Sequence, residues 1–200
     1  RIGIRTIQVS SKTGLLLNGQ PRTMKGGCIH HDLGILGAAD HAAAERRRIR
    51  LMKESGFDAI RAAHNPFGPA FLDACDELGM LVVEEAFDEW VMGRTSFGLH
   101  VTFEQCWEKD LEDMITRDYN HPCIVMWSTG NEVEERDGTA DGFAWAKRLA
   151  NKVRSLDASR PVSATACALF SEYGNRPAGG TTGNQALNMA YDTFAEGRDI

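Results

Sequence analysis

Two adjacent polar residues stand directly after an apolar segment in the middle of the chain. Residues 123–130 read CIVMWSTG, and Asn131 and Glu132 follow at once. Glycoside hydrolysis needs a protonated carboxylic acid beside the leaving oxygen and, where configuration is retained, a second carboxylate that attacks the anomeric carbon. A carboxyl group beside a buried segment suits the first role, because desolvation favours its protonated form. Glu132 is therefore a candidate general acid, and Asn131 a donor to a sugar hydroxyl. Equally, the pair can serve only to cap the next helix.

Polar residues also follow three other apolar segments that have the length of strands. They are His30, His31 and Asp32 after residues 24–29, His64 and Asn65 after residues 58–63, and Glu85, Asp88 and Glu89 after residues 80–84. In a parallel sheet the carboxyl ends of all strands share one rim, where (β/α)8 barrels and doubly wound sheets bind their substrates. Four sets of polar residues at this rim predict an active site there.

Metal chemistry is one alternative for these residues. Barrel metallohydrolases commonly bring two histidines to one face of a strand as H-x-H, whereas adjacent residues such as His30 and His31 point to opposite faces. His30 and Asp32 share a face. The sequence has no H-E-x-x-H helix, Walker loop, G-x-G-x-x-G loop or complete calcium loop. We therefore expect neither a metal nor a cofactor, and we interpret His31 as a structural histidine bonded to a loop carbonyl.

The elements that must position these residues alternate between strands and helices. Predicted strands cover residues 24–29, 58–63, 80–84, 124–129 and 162–166, and helical patterns lie between them. This alternation is typical of βα units with a parallel sheet, and right-handed crossovers leave two α/β folds, an open doubly wound sheet or a (β/α)8 TIM barrel. Five units are too few to close a barrel of eight. Both folds stay open at this point, and if the fold is the barrel, the chain covers only about its first five βα units.

Start and stop signals mark the boundaries of the predicted helices. The signals of the first three are Asp40 and Gly56, Pro69 and Gly79, and the capping box of Thr102 and Gln105. The fourth helix covers about residues 142–156, and the side chains expected on its inner face are Phe143, Leu149, Val153 and Leu156.

Composition excludes several other classes of function. The 200-residue chain has a net charge of −6, which is the wrong sign for a nucleic-acid-binding domain. No apolar run approaches the length of about 18 residues that marks a membrane-spanning helix, so no membrane partner is expected. The five cysteines are widely spaced and form no C-x-x-C pair, a pattern typical of a reduced compartment, and we expect a cytoplasmic protein.

An ordered series of motifs resembles glycoside hydrolase family 2, the family of β-galactosidases, β-glucuronidases and β-mannosidases. NHPCIVMWSTGNE resembles its acid/base signature, LLLNGQPRTMKGGCIHHD its entry into the barrel, SGFDAIRAAHNP its second strand and CDELGMLVVEEAFDEW its third unit. The opening RIGIR resembles the last strand of the immunoglobulin-like domain that precedes the barrel. The resemblance implies that residues 1–18 end a β-sandwich domain and its linker, and that residues 19–200 begin the TIM barrel.

The resemblance also implies a role for each polar residue at the rim. Glu132 becomes the general acid/base, and Asn131 contacts the 2-hydroxyl of the substrate. The residues implied in the binding of the terminal sugar are His30, His64 and Asp32.

Three further residues bear on the support of this site. Arg61 is expected to orient the catalytic carboxylates, with a buried ion pair that has no catalytic part as the alternative. Glu89 is interpreted as a supporting residue. However, its stretch DEWVMG lacks the histidine of the Glu-x-His pair that lies near magnesium in the large β-galactosidases, so no structural magnesium is expected. Cys28 stands where the family has asparagine.

The second carboxylate of the mechanism has no counterpart in this sequence. In the family the nucleophile is a glutamate on the seventh barrel strand, whereas this chain ends before a sixth strand is complete. Glu172 and Glu196 follow no predicted strand, so neither is interpreted as the nucleophile, which we expect beyond residue 200.

The implied activity is that of a retaining exo-β-glycosidase of carbohydrate metabolism, whose partner is a β-linked oligosaccharide or glycoside. HHDLGILGAA followed by EEAFDEW is most similar to bacterial enzymes for terminal β-D-galactosides. β-Glucuronidase and β-mannosidase are the alternatives within the family, and a fragment that binds sugar without cleaving it is an alternative of another class. The isolated chain is expected to be inactive and to self-associate through exposed half-barrel edges.

Overall fold

The computed structural model describes residues 3–10 and 12–165, and its first part is a small antiparallel sheet. The three strands of this sheet are β1 (Ile7–Ser10), β2 (Gly14–Leu17) and β3 (Gln20–Pro21). Asn18 and Gly19 form the turn between β2 and β3 with φ angles of 53° and 73°, as the dipeptide Asn-Gly favours. The assignment of residues 1–18 to a preceding β-sandwich stays a prediction. Ala166, Glu172 and Glu196 lie outside the described residues.

Five parallel strands form the second sheet. They are β4 (Gly26–Ile29), β5 (Ala59–Ala62), β6 (Leu81–Glu85), β7 (Ile124–Asn131) and β8 (Val162–Thr165). Each strand pairs with the next one along the chain, so the order is β4-β5-β6-β7-β8 without reversal. A doubly wound sheet reverses its strand order at a switch point, whereas a barrel adds its strands sequentially. The structure therefore confirms the barrel interpretation, and the five strands lie where the sequence predicts them.

Four helices connect the parallel strands. They are α1 (Ala42–Glu54), α2 (Pro69–Leu78), α3 (Phe103–Asp118) and α4 (Gly142–Leu156). Pro69 begins α2, and Gly79 ends it with a φ of 70°, both as predicted. Gly56, with a φ of 90°, follows the end of α1. None of the described helices combines the length and the apolar character needed to span a bilayer.

One predicted helix cap is wrong, and one predicted capping box is not formed. His41 rather than Asp40 is the N-cap residue of α1, and the Asp40 carboxylate instead accepts a hydrogen bond of 3.4 Å from the backbone of the first turn of α2. Gly68 admits this carboxylate because it has no side chain: a Cβ there would lie 2.0 Å from Asp40 Oδ2. Thr102 is the N-cap residue of α3, as predicted, but its hydroxyl donates to the Leu99 carbonyl and accepts no hydrogen bond from an amide of the helix, so the capping box is not formed.

The hydrophobic core lies between the outer face of the parallel sheet and the helices. Alternate strand residues such as Ile60, Val82 and Trp127 are buried in it. The helix side chains of this core include Phe71, Leu72, Ile115, Leu149 and Val153. The other residues of the same strands face the inside of the barrel, and they include the apolar Val83 and Met126 as well as the polar Arg61, Glu85 and Ser128.

The predicted inner face of α4 is confirmed at Leu149 and Val153, which are fully buried. Phe143 is the exception, because 38% of its surface is exposed. Its ring lies against Gly138 in the preceding loop, where a Cβ would come within 2.7 Å of Phe143 Cε2. The Phe143 side chain therefore covers this loop and not the core.

A polar cluster ties α2 to the amino end of β7. Asp76 Oδ2 accepts a hydrogen bond of 2.7 Å from His121 Nδ1, and Asp76 Oδ1 accepts one of 2.8 Å from the Cys123 amide. The hydrogen bond to Asp76 raises the pKa of His121. Burial alone would raise the pKa of Asp76, but the hydrogen bonds from His121 and Cys123 outweigh it and lower this pKa. Both side chains are therefore charged at mildly acidic pH.

The contribution of this pair to stability is expected to depend on pH. The lowered pKa of Asp76 provides stability above its unfolded value of about 3.9, and this stability is lost as the pH falls through the folded pKa. The raised pKa of His121 provides stability below its unfolded value of about 6.5, and this is lost as the pH rises through the folded pKa. The full contribution therefore lies between about pH 4 and pH 6.5.

We expect His121→Gln to lower the free energy of unfolding by about 2 kcal/mol near pH 5.5, and by clearly less near pH 9. Urea unfolding of both proteins at the two pH values measures the difference. His41→Gln removes an exposed histidine and serves as the control, for which little change is expected. A loss of equal size at both pH values would contradict the charged pair.

Candidate active site

The inner face of the parallel sheet centres on Glu85, whose side chain is fully buried at the end of β6. Glu85 Oε2 accepts hydrogen bonds from Arg61 Nε at 3.1 Å, from Arg61 Nη2 at 2.6 Å and from Ser128 Oγ at 2.7 Å. Glu85 Oε1 lies 2.8 Å from His64 Nδ1. A buried carboxylate is tolerated only where donors replace its hydration shell, and here they come from three different residues.

The strand register brings these side chains together. Arg61 pairs with Cys28 of β4, and Glu85 pairs with Ser128 of β7, so that all four face the inside of the barrel. Arg61 Nη1 also lies 3.5 Å from Cys28 Sγ. Glu84, the neighbour of Glu85, points to the outer face, where complete burial raises its pKa well above the ordinary value of glutamate. Adjacent carboxyl groups thus occupy two unlike environments.

Arg61 connects Glu85 to Asn131. Arg61 Nη2 donates to Asn131 Oδ1 at 2.8 Å, and Asn131 Nδ2 donates to Asp88 Oδ1 at 2.8 Å. A guanidinium only donates, so the orientation of the Asn131 amide is fixed. Burial alone would lower the pKa of Arg61, but the charge of Glu85 and its hydrogen bonds outweigh it and raise this pKa. Arg61 is thus an ion-pair partner that also holds a predicted site residue.

Glu132 directly follows β7 and has a φ of 46°. Residues 127–130 before it are buried, as predicted, but 41% of the Glu132 side chain is exposed. Its carboxyl Oε2 lies 3.5 Å from Arg94 Nη1. The buried segment therefore presents this carboxyl group at the rim and does not enclose it.

Glu89 is buried in the loop after β6. Its carboxylate accepts hydrogen bonds from the Arg94 amide at 2.9 Å, the His100 amide at 3.1 Å and, in the matching tautomer, His100 Nδ1 at 3.0 Å. Burial alone would raise the pKa of Glu89, but the donors from Arg94 and His100 outweigh it and lower this pKa. The predicted supporting residue thus organises a loop.

The predicted sugar-binding residues divide into two groups. The rings of His30 and His64 lie 4.9 Å apart in an edge-to-face arrangement, and His64 joins the Glu85 cluster. Asp32 does not reach this cluster, because its Oδ1 accepts a hydrogen bond of 2.8 Å from the Gly34 amide in its own loop. His31 Nε2 lies 3.1 Å from the Asn65 carbonyl, which confirms the predicted structural histidine.

The sequence prediction assigned no role to four residues of this site. It placed Glu85 and Asp88 at the rim without a function, and it did not single out Ser128 or Arg94. Ser128 could be found from the strand pattern, because it lies at an inward position of β7 opposite the end of β6. No sequence pattern points to Arg94, since it belongs to an irregular loop whose path depends on Glu89.

A possible set of metal ligands lies elsewhere, at the amino end of β7. Within residues 3–10 and 12–165, one group of potential ligands clusters, and its members, Asp76, His121 and Cys123, have ligand atoms within 4.8 Å of one another. Their hydrogen bonds already satisfy both Asp76 oxygens, and burial raises the pKa of the Cys123 thiol well above its usual value. The eight residues of β7 separate this group from Glu132. It therefore serves the fold and not the rim.

Comparison with known proteins places this geometry in a family. The model described as "Glycosyl hydrolases family 2, TIM barrel domain" matches residues 7–175. The chain is 38% identical over 193 residues to the beta-galactosidase BoGH2A of Bacteroides ovatus, which corresponds to 82% of this chain and 23% of the relative. It thus spans about a quarter of that relative's length.

Solved structures of the same family superimpose on this chain. A glycosyl hydrolase family 2 member from Bacteroides cellulosilyticus superimposes with a TM-score of 0.84 at 41% identity, over 94% of this chain and 23% of that one. The beta-D-glucuronidase of Dictyoglomus thermophilum superimposes with a TM-score of 0.71 at 27% identity, over 86% of this chain and 30% of that one.

The buried Glu85 cluster predicts a large effect on stability. Glu85→Gln keeps the shape of the side chain but removes the charge that compensates Arg61, so the free energy of unfolding is expected to fall by about 3 kcal/mol. Glu77→Gln is the matched control, because Glu77 pairs with Arg46 at the surface, where both side chains are at least 41% exposed. For this control we expect less than about 1 kcal/mol. Urea unfolding measures both, and similar small losses would contradict the central position of Glu85.

Proposed function

The chain belongs to glycosyl hydrolase family 2, and from this membership we propose that it is part of a retaining exo-β-glycosidase that acts on terminal β-D-galactosides. Glu132 is the proposed general acid/base. The observation that supports it is its position: Glu132 follows β7 directly, 41% of its side chain is exposed at the rim, and the polar network from Glu85 ends beside it.

The proposed reaction has two steps. In the first step Glu132 donates its proton to the glycosidic oxygen while a nucleophilic carboxylate bonds to the anomeric carbon, and the aglycone leaves as an alcohol. In the second step Glu132 takes a proton from a water molecule that attacks the same carbon, which releases the sugar with its original configuration. A carboxyl group that alternates between donor and acceptor needs access to water, which its exposure provides.

The proposed nucleophile lies beyond residue 200. Within the described part of the chain, the two buried carboxylates at the end of β6 and in the loop after it already have fixed partners. Glu85 accepts four hydrogen bonds, and both oxygens of Glu89 hold the loop after β6. Neither is free to attack an anomeric carbon. The isolated chain is therefore proposed to be inactive, and the activity to belong to the longer protein that contains it.

The proposed subsite for the terminal sugar is built around His30 and His64. Their rings lie at the carboxyl ends of β4 and β5, on the side of the sheet that carries the Glu85 cluster. Asn131 is proposed to contact the 2-hydroxyl, since one amide hydrogen remains after the hydrogen bond to Asp88. Asp32 is proposed to contribute from the neighbouring loop through its second carboxyl oxygen.

β-Galactoside is the preferred substrate because of the similarity to the beta-galactosidase BoGH2A. A β-glucuronide is the second candidate, supported by the similarity to the beta-D-glucuronidase of Dictyoglomus thermophilum. β-Mannosides and binding of sugar without cleavage remain the alternatives that the assay below distinguishes.

The test is hydrolysis of 4-nitrophenyl β-galactoside, β-glucuronide and β-mannoside by the full-length protein. We expect cleavage of the galactoside, and Glu132→Gln is expected to reduce kcat/KM by about 10²–10⁴-fold because it removes the proton donor. Glu54→Gln is the control, since it removes an exposed carboxylate at the far end of α1 and leaves activity unchanged.

Three outcomes would overturn parts of this proposal. Preferred cleavage of the glucuronide would change the substrate and leave the role of Glu132 intact. Full activity of Glu132→Gln would refute the role of Glu132 itself. Binding of galactose without turnover by the full-length protein would favour the non-catalytic alternative.

A further inference from the structure

We propose that Arg94 is a positioning residue for Glu132, held in place by a loop that two buried carboxyl groups organise. This inference rests on the proposed function, because it takes Glu132 as the general acid/base. Arg94 belongs to none of the motifs that the sequence analysis identified.

The guanidinium of Arg94 bridges two carboxyl groups at the rim. Arg94 Nη1 lies 3.5 Å from Glu132 Oε2, while Nη2 contacts the Asp88 carboxyl group and donates to the Asp88 carbonyl at 2.8 Å. Three quarters of the Arg94 side chain is buried, whereas 41% of Glu132 is exposed. A planar guanidinium that is fixed on one side presents its remaining donors in a defined direction. Arg94 therefore restricts where the Glu132 carboxyl group comes to rest.

The loop that carries Arg94 is held by its backbone. Glu89 accepts hydrogen bonds from the Arg94 and His100 amides, and Glu135 Oε1 accepts one of 2.5 Å from the Met92 amide. Gly98 packs so closely on Glu89 that a Cβ would lie 1.8 Å from Oε1. Because both carboxyl groups are buried, the loop is anchored to the interior from two sides.

Glu135 ties this loop to the segment that follows Glu132. It lies three residues after Glu132, is fully buried, and its Oε2 has no hydrogen-bond partner within the described part of the chain. Burial raises the pKa of Glu135. The two loops that carry Arg94 and Glu132 are thus joined by the Met92–Glu135 hydrogen bond below them and by the Arg94–Glu132 contact at the rim.

Arg94 also separates two acidic groups. Asp88 accepts the Asn131 amide and contacts Arg94, which in turn faces Glu132. Because both carboxyl groups contact the same guanidinium, Arg94 lies between Asp88 and Glu132 and holds them apart at defined positions. Arg94 thus supports both Asn131 and Glu132.

The chemical consequence depends on the leaving group. An alkyl alcohol leaves only with a proton from the general acid, whereas 2,4-dinitrophenolate leaves without one. A misplaced Glu132 should therefore slow the cleavage of alkyl β-galactosides and spare the dinitrophenyl substrate. A general loss of structure would slow both alike, so the ratio of the two rates reports positioning.

The experiment measures kcat/KM of the full-length enzyme for methyl β-galactoside and 2,4-dinitrophenyl β-galactoside. For Arg94→Gln we expect a loss of about 10²-fold on the methyl substrate, the size typical of a misplaced catalytic group, and little change on the dinitrophenyl substrate. Arg94→Lys keeps the positive charge but loses the planar guanidinium with its paired donors. Its kcat/KM on the methyl substrate is expected to lie between those of Arg94→Gln and the wild type. Arg46→Gln, at an exposed pair with Glu77, is the matched control and should change neither rate.

Equal losses on both substrates would overturn the role of Arg94 and leave the proposed function standing. The same conclusion would follow if Arg94→Gln lost activity on neither substrate while Glu132→Gln was inactive on the methyl substrate. A wild-type enzyme that cleaves neither substrate would overturn both. If Arg94→Gln does not fold, the ratio measured with Arg94→Lys decides: an unchanged ratio refutes the inference, and a selective loss on the methyl substrate supports it.

Discussion

The rest of the site depends on one buried ion pair, Arg61 with Glu85. Glu85 has no contact with solvent, and a carboxylate removed from water is tolerated only if charged and neutral donors replace its hydration. Its donors are Arg61 of β5, His64 in the loop after β5 and Ser128 of β7. These side chains meet only when the three strands are in one particular register. The ion pair therefore selects the register, and the register places every strand end at the rim.

The alternation of side chains along a strand explains how one sheet carries both a core and a polar site. Outward residues such as Ile60, Val82 and Trp127 are buried under the helices, and inward residues such as Arg61 and Glu85 form the polar face. A slip of one residue would exchange the two sets and place ionised groups among the apolar side chains of the core. The cost of that exchange keeps Asn131 and Glu132 at the end of β7.

The sequence predicted the parts of this structure that follow from periodicity, and it missed those that follow from tertiary contacts. The five parallel strands and α4 have patterns of their own, and Asn131 and Glu132 follow such a pattern directly. Asp40 has the chemistry of a helix cap, but the gap at Gly68 turns its carboxylate to another helix. Arg94 reaches Glu132 because buried carboxyl groups fold its loop. No spacing rule encodes such a path.

A chain of directed contacts runs from the interior of the sheet to the exposed carboxyl group. It passes from Glu85 through Arg61, Asn131, Asp88 and Arg94 to Glu132, with acceptors and donors in alternation. Each guanidinium can only donate, so the direction of every contact is determined. The inner contacts are short, whereas the last one, between Arg94 and Glu132, measures 3.5 Å. The inner residues are therefore held in fixed positions. Glu132 is held more loosely, so its carboxyl group can still move as a group must if it is to give up a proton and take one back.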